Sequence, residues 1–89
     1  MSYLLDINPK CKQEIKRHCR KNPVLEKAIK NKMNEILQNP YHYKPMKYDL
    51  VGERRVHILK SFVLKYGVDE QRKTVIFIFF GHHDEAYKR

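Results

Sequence analysis

The sequence predicts an α+β domain with the element order β-α-α-β-β-β, an antiparallel sheet packed against an N-terminal helical hairpin. Three observations lead there. Asn-Pro pairs at Asn8-Pro9, Asn22-Pro23 and Asn39-Pro40 punctuate two segments of helical periodicity; the last third of the chain is rich in β-branched and aromatic residues; and the connections between its strands are short and polar. The 89 residues give one hydrophobic core, so residues 1–89 are read as a single domain.

Ser2 to Ile7 is a short apolar run that Asn8-Pro9 stops, the pattern of an initial strand. Asn8 then caps a helix whose first residue is Pro9, where the missing N–H costs nothing. In that helix, running to about Arg20, Cys11, Ile15, His18 and Cys19 form a weakly apolar face, and Lys10, Lys12, Lys16, Arg17 and Arg20 cover the rest. Lys21-Asn22-Pro23 ends it. A second helix carries a broader stripe of Val24, Leu25, Ala28, Ile29, Met33, Ile36 and Leu37, and Asn39-Pro40 closes it. Tyr41 to Tyr48 is an aromatic and basic loop in which Lys44 and Lys47 are candidate phosphate contacts. Three strands follow at Arg54 to Lys60, Phe62 to Val68 and Thr74 to Phe80. The short connections imply antiparallel pairing, and the nearly all-apolar last segment reads as the central strand.

With 42% hydrophobic and 33% charged residues, a folded domain with a solvated exterior is favoured over disorder. Lys and Arg number 19 against 10 Asp and Glu, a net charge of +9 that suits a polyanion, RNA above all. The excess is spread over both halves of the chain, so the folded surface itself is basic. No apolar run approaches membrane-spanning length and no signal-peptide pattern opens the chain, which leads to the expectation of a cytoplasmic protein without a membrane partner. Cys11 and Cys19, about 12 Å apart along a helix, are too distant for a disulfide and are expected to be reduced. Neither the Cys11, His18, Cys19 set nor the consecutive His82, His83, Asp84, Glu85 set has the spacing of a metal site, so no metal and no cofactor are expected.

P-loop, dinucleotide-binding, nucleophile-elbow and zinc-protease motifs are absent. What remains is acid/base chemistry on RNA. Alternation along the strand sends Arg55 and His57 to one face and Val56 and Ile58 to the core. Gly81-His82-His83-Asp84-Glu85-Ala86-Tyr87 follows the central strand directly, where a sheet end holds polar groups rigidly. His57 and His83 suit the two proton transfers of phosphodiester cleavage by a ribose 2′-hydroxyl. Arg55, Lys60 or Lys65 would neutralise the growing charge, and Tyr87 would stack on a base or orient the phosphate. Arg54, beginning the same strand, is counted with Lys44, Lys47, Lys60 and Lys65 as a candidate RNA contact.

The order of elements, the Asn39-Pro40 helix end, Lys44-Pro45-Met46-Lys47, Arg54-Arg55-Val56-His57-Ile58, Tyr66 and the Gly81-His82-His83-x-x-x-Tyr87 ending resemble the RelE/ParE toxins of prokaryotic type II toxin–antitoxin modules. The resemblance spans essentially the whole chain. It implies a RelE/ParE-like fold and a toxin silenced by a cognate antitoxin. For RelE-type members it implies ribosome-dependent, metal-independent cleavage of mRNA, with ribosomal RNA as a further partner. Arg55 and His57 then stand where that group has basic catalytic residues, His83 where it has a C-terminal arginine, and Tyr87 where it has a tyrosine. One arginine of the group is replaced by Val63, with Lys65 the nearest cation. ParE-type members share the fold and act on DNA gyrase instead, which leaves a gyrase inhibitor without nuclease activity as the alternative.

Overall fold

The computed structural model describes residues 2–43 and 53–86. Strand β1 (Leu4–Ile7) leads into helix α1 (Pro9–Cys19), and helix α2 (Pro23–Gln38) follows before strands β2 (Arg54–Ile58), β3 (Phe62–Asp69) and β4 (Thr74–His82) and a single turn, α3 (His83–Ala86). Both long helices begin in the same way. Asn8 Oδ1 accepts the N–H of Lys10 at 2.9 Å and Asn22 Oδ1 that of Leu25 at 3.1 Å, with Pro9 and Pro23 at the first helical positions. The Asn22-Pro23 pair read as a stop is therefore also the start signal of α2.

The sheet order is β1-β4-β3-β2. Pairing is antiparallel across β2, β3 and β4 as expected, but β1 runs parallel to β4, with Leu4 opposite Thr74 and Ile7 opposite Phe77. The sheet is mixed rather than antiparallel. The reason is connectivity: short links force antiparallel neighbours, whereas β1 is separated from its partner by the whole helical hairpin and is free to lie parallel. β1 is held at its start by Tyr3 N–H to Leu37 C=O at 2.8 Å and Leu4 N–H to Lys73 C=O at 2.7 Å.

β4 lies inside the sheet, and a register shift governs what it presents. Leu64 pairs with Phe80 and Lys65 with Phe79, yet Tyr66 pairs with Phe77, so Ile78 is an extra residue on β4. Strict alternation would put Phe77 and Phe80 on opposite faces. The bulge brings both to the helix side, where they are buried with Val56, Ile58, Leu64, Tyr66 and Val75 against Cys11, Leu25, Ile29 and Ile36. Each such side chain contributes about 1.5–3 kcal/mol through burial. α1 covers β4 and α2 lies against β2.

The β2–β3 turn, Leu59 to Ser61, is strained. Leu59 has φ 53° and Lys60 φ 75°, and Ser61 N–H donates to Leu59 C=O at 2.9 Å, closing a three-residue turn on Lys60. Left-handed backbone costs a residue with a Cβ roughly 1–2 kcal/mol, most acutely a branched one such as leucine.

At the other end of the sheet one carboxylate gathers three elements. Glu70 accepts from Tyr3 Oη at 2.9 and 3.0 Å, from Tyr41 Oη and from Lys73 Nζ. The bonds from Lys73, then Tyr41 and Tyr3, hold its carboxyl down at about 2. Nearby, the buried Tyr66 hydroxyl donates to Pro40 C=O at 2.7 Å, and burial pushes its pKa up to about 12. Tyr66 thereby ties the end of α2 to the sheet.

Removing that hydroxyl in Tyr66→Phe leaves a buried carbonyl without its donor and should cost about 1–3 kcal/mol, a fall in the thermal midpoint of roughly 4–8 °C per kcal/mol for a domain of this size. A midpoint within 1–2 °C of wild type, roughly within error on that scale, would show that the bond contributes nothing. Because the Glu70 carboxyl titrates lower in the folded chain than its usual 4.5, its contribution is fully present above 4.5 and is lost as pH falls toward 2. Glu70→Gln should flatten that limb of an acid-unfolding curve, and an unaltered limb would contradict the assignment.

Candidate functional site

Alternation on β2 places Arg55 and His57 on the face away from the helices, His57 exposed and Val56 and Ile58 buried beneath. Register then selects their neighbours. Arg55 is opposite Lys65, which is opposite Phe79, and His57 is opposite Val63, which is opposite Gly81. Two cationic side chains thus stand side by side on one sheet face. Lys65 Nζ lies 5.1 Å from the centre of the Phe79 ring, which anchors its stem.

His83 opens α3 directly after β4. Its N–H donates to Ser61 C=O at 2.8 Å, fastening α3 to the strained turn, and its ring stacks on that of His57 with centroids 5.4 Å apart and planes 25° apart. The two histidines singled out in the sequence, 26 positions apart, converge. His83 Nδ1 is also 3.9 Å from Asp84 Oδ1. Lys60 sits on the adjoining turn, exposed.

Val63 explains itself here. It is fully buried but does not join the main core, because it lies under the outward face between His57 and Gly81. The position takes a buried apolar side chain, and Lys65 stands two residues further along the same face.

Other expectations resolve differently. Arg54 faces the opposite side from Arg55: its guanidinium lies 5.0 Å from the Tyr41 ring centre and donates to Tyr43 C=O, so it braces the segment after α2 and is not part of the site. Tyr41 is engaged with Glu70, a bond that raises its pKa to about 12, and Tyr43 bonds Glu35 and accepts from Lys32 Nζ at 2.9 Å. Lys44, Lys47 and Tyr87 lie outside the described residues. Cys11 and Cys19 are both buried free thiols, and burial pushes Cys11 up to about 11, away from the reactive thiolate form. Among the described residues, no three His, Cys, Asp or Glu side chains converge on a point where a metal could be held.

Two features escaped the sequence. Ser61, His82, His83 and Asp84 line a polar hollow of about 250 Å3 beside the histidine pair, for which the unusual backbone of the turn left no trace in residue type. The second is a groove of about 410 Å3 between α1 and α2, lined by Ile7, Ile15, Ile29 and Met33 and by the cations Lys12, Lys16, Arg20 and Lys30, the last paired with Glu26 at 3.8 Å. Its signal was present in the cationic face of the first helix, which reads alone as a solvated surface. On the helix side, His18 meets Phe62, Phe80 and His82 edge-on at 5.3, 5.5 and 5.3 Å, an aromatic cluster rather than a ligand set.

A profile described as the ParE toxin of the type II toxin–antitoxin system parDE matches residues 5–87. The chain belongs to the RelE/ParE superfamily of type II toxins. A relative from Methanocaldococcus jannaschii, named as a candidate toxin RelE4, is 46% identical over 98% of this chain and 93% of its own length. The fold of this superfamily member superposes on the free Escherichia coli toxin RelE, in an arginine-substituted mutant, with a TM-score of 0.77 at 20% identity, covering 97% of this chain and 88% of the other. It also superposes on a chain of the RelBE2 toxin–antitoxin complex of Mycobacterium tuberculosis with a TM-score of 0.73 at 17% identity over 93% of each. These likenesses establish the RelE-like arrangement of two helices on a four-stranded mixed sheet. Among the described residues no helix is long and apolar enough to cross a membrane.

Proposed function

We propose that this toxin is a metal-independent endoribonuclease that cuts mRNA on the ribosome. The stacked His57–His83 pair beside the Arg55–Lys65 pair carries the reading. Cleavage without metal needs one group to take the proton of the ribose 2′-hydroxyl as its oxygen bonds to phosphorus. It needs another to give a proton to the 5′ oxygen as the P–O5′ bond breaks, leaving a 2′,3′-cyclic phosphate and a 5′-hydroxyl. A neutral and a protonated imidazole, held side by side, suit these two transfers. Arg55 and Lys65 stabilise the charge that develops on the equatorial oxygens, and Lys60 attracts the flanking backbone. Tyr87 keeps the role that the family resemblance implies, and Lys44 and Lys47 are the candidate phosphate contacts of the loop after α2. The ribosome presents the single-stranded mRNA, and ribosomal RNA docks on the remaining basic surface.

The matching profile is described by a ParE toxin, and this favours a second reading, inhibition of DNA gyrase without nuclease activity. A supercoiling assay with near-stoichiometric toxin separates the two, since that reading requires gyrase inhibition with mRNA left intact.

Neutralisation falls to a cognate antitoxin, in keeping with the toxin–antitoxin complexes among the structural relatives. The groove between α1 and α2, lined by apolar and cationic side chains, suits an acidic amphipathic segment of that antitoxin.

Purified toxin should cut mRNA on translating ribosomes in the presence of a chelator, and His57→Ala and His83→Ala should each slow single-turnover cleavage by about 10²–10⁴-fold. Intact mRNA with wild-type protein, or wild-type rates in the double variant, would end the nuclease reading. Replacing Lys12 and Lys16 together by Glu should weaken antitoxin binding by about tenfold or more, chiefly through slower, less salt-sensitive association. Unchanged association kinetics would remove the groove as the antitoxin's seat.

A further inference from the structure

We propose that the Leu59–Lys60–Ser61 turn and the first residues of α3 form a recognition subsite for the nucleobase flanking the scissile phosphate, an inference that rests on the nuclease reading. Three observations converge on it. The turn holds two side-chain-bearing residues at φ 53° and 75°, where glycine or asparagine would be unstrained, and such strain concentrates at positions kept for function. Leu59 is 48% exposed at the tip, so the strain is not retained to bury it in the core. Behind the tip, Ser61, His82, His83 and Asp84 surround the polar hollow, and Ser61 C=O is tied to His83 N–H, so the hollow and the His57–His83 pair are one rigid unit.

The chemistry of the hollow selects its occupant. An unpaired RNA base offers an apolar face and a polar Watson–Crick edge. Ser61 can donate to or accept from the edge, and Leu59, exposed two residues earlier in the turn though outside the hollow's lining, offers an apolar surface for the face. Asp84, its side chain wholly exposed beside His83, only accepts hydrogen bonds when ionised. It repels a phosphate and attracts base N–H groups. Guanine, adenine and cytosine carry an exocyclic amine that meets this requirement. Uracil offers one N–H flanked by two carbonyl oxygens, which the carboxylate repels. The subsite therefore reads a base with an exocyclic amine beside the cut.

The test maps cut sites on one mRNA pool in translating ribosomes for wild type, Asp84→Asn and Leu59→Asn, with thermal midpoints measured alongside. Wild type should disfavour uracil at one position beside the cut by about tenfold, as expected for loss of a good base-edge contact. Asp84→Asn should erase that bias. Leu59→Asn, which tolerates left-handed backbone, should melt at or above the wild-type temperature while kcat/KM falls by about tenfold. Wild type that cuts with an unbiased base distribution, or an Asp84→Asn profile identical to a biased wild type, overturns the subsite and leaves the nuclease reading standing. A slower Asp84→Asn with the bias intact also overturns it, since Asp84 would then act only on His83. Wild-type protein that cuts nothing overturns both.

Discussion

The single extra residue at Ile78 decides what every position on β4 can do. Without it, Phe77 and Phe80 would point to opposite faces, and one of two fully buried aromatic rings would leave the core. With it, Phe79 is turned outward beneath Lys65, while Gly81 comes under the outward face beside Val63. Core packing and site geometry are therefore one constraint, set where two residues of β4 share one neighbour on β3. Among the described residues, left-handed non-glycine backbone falls in the two hairpin turns, at Leu59 and Lys60 and at Lys73.

Much of this arrangement was legible in the residues. Asn8-Pro9 announced the start of α1 because capping and proline geometry are local, whereas Asn22-Pro23 read only as a stop; the alternation of Arg55, Val56, His57 and Ile58 placed Arg55 and His57 on the face away from the core because period two is local as well. Pairing direction across β2 to β4 followed from short links. The parallel β1 did not, since nothing between residues 8 and 53 constrains where the chain returns. The strand reading also ran through Leu59 and Lys60, since neither residue type advertises left-handed backbone; the turn is imposed by the pairing of Ile58 with Phe62 on either side of it.

For the site, the sequence identified the participants but not which of them meet. His57 and His83 were joined by chemistry and the register brings them into contact, whereas Arg54, chemically indistinguishable from Arg55, goes to the other face and braces Tyr41 and Tyr43. Tyr41 and Tyr43 are engaged with Glu70 and Glu35. Such partners are distant in the chain: Glu70 lies 67 residues from Tyr3 and 29 from Tyr41. Val63 was the residue that opposed the family pattern, and its burial under the outward face accounts for an apolar side chain at that point.

The groove between the helices and the histidine pair open on different sides of the sheet. A ligand confined to the groove therefore leaves the histidines uncovered, and neutralisation becomes a problem of reach. The molecule is 22 Å across its shortest axis, which an extended chain spans in about seven residues. An inhibitor that grips the groove and also covers the histidines must continue for at least that distance as ordered or tethered chain around a sheet edge. Shortening that bridge would uncouple affinity from inhibition: a truncated partner would remain bound to a toxin that is still open.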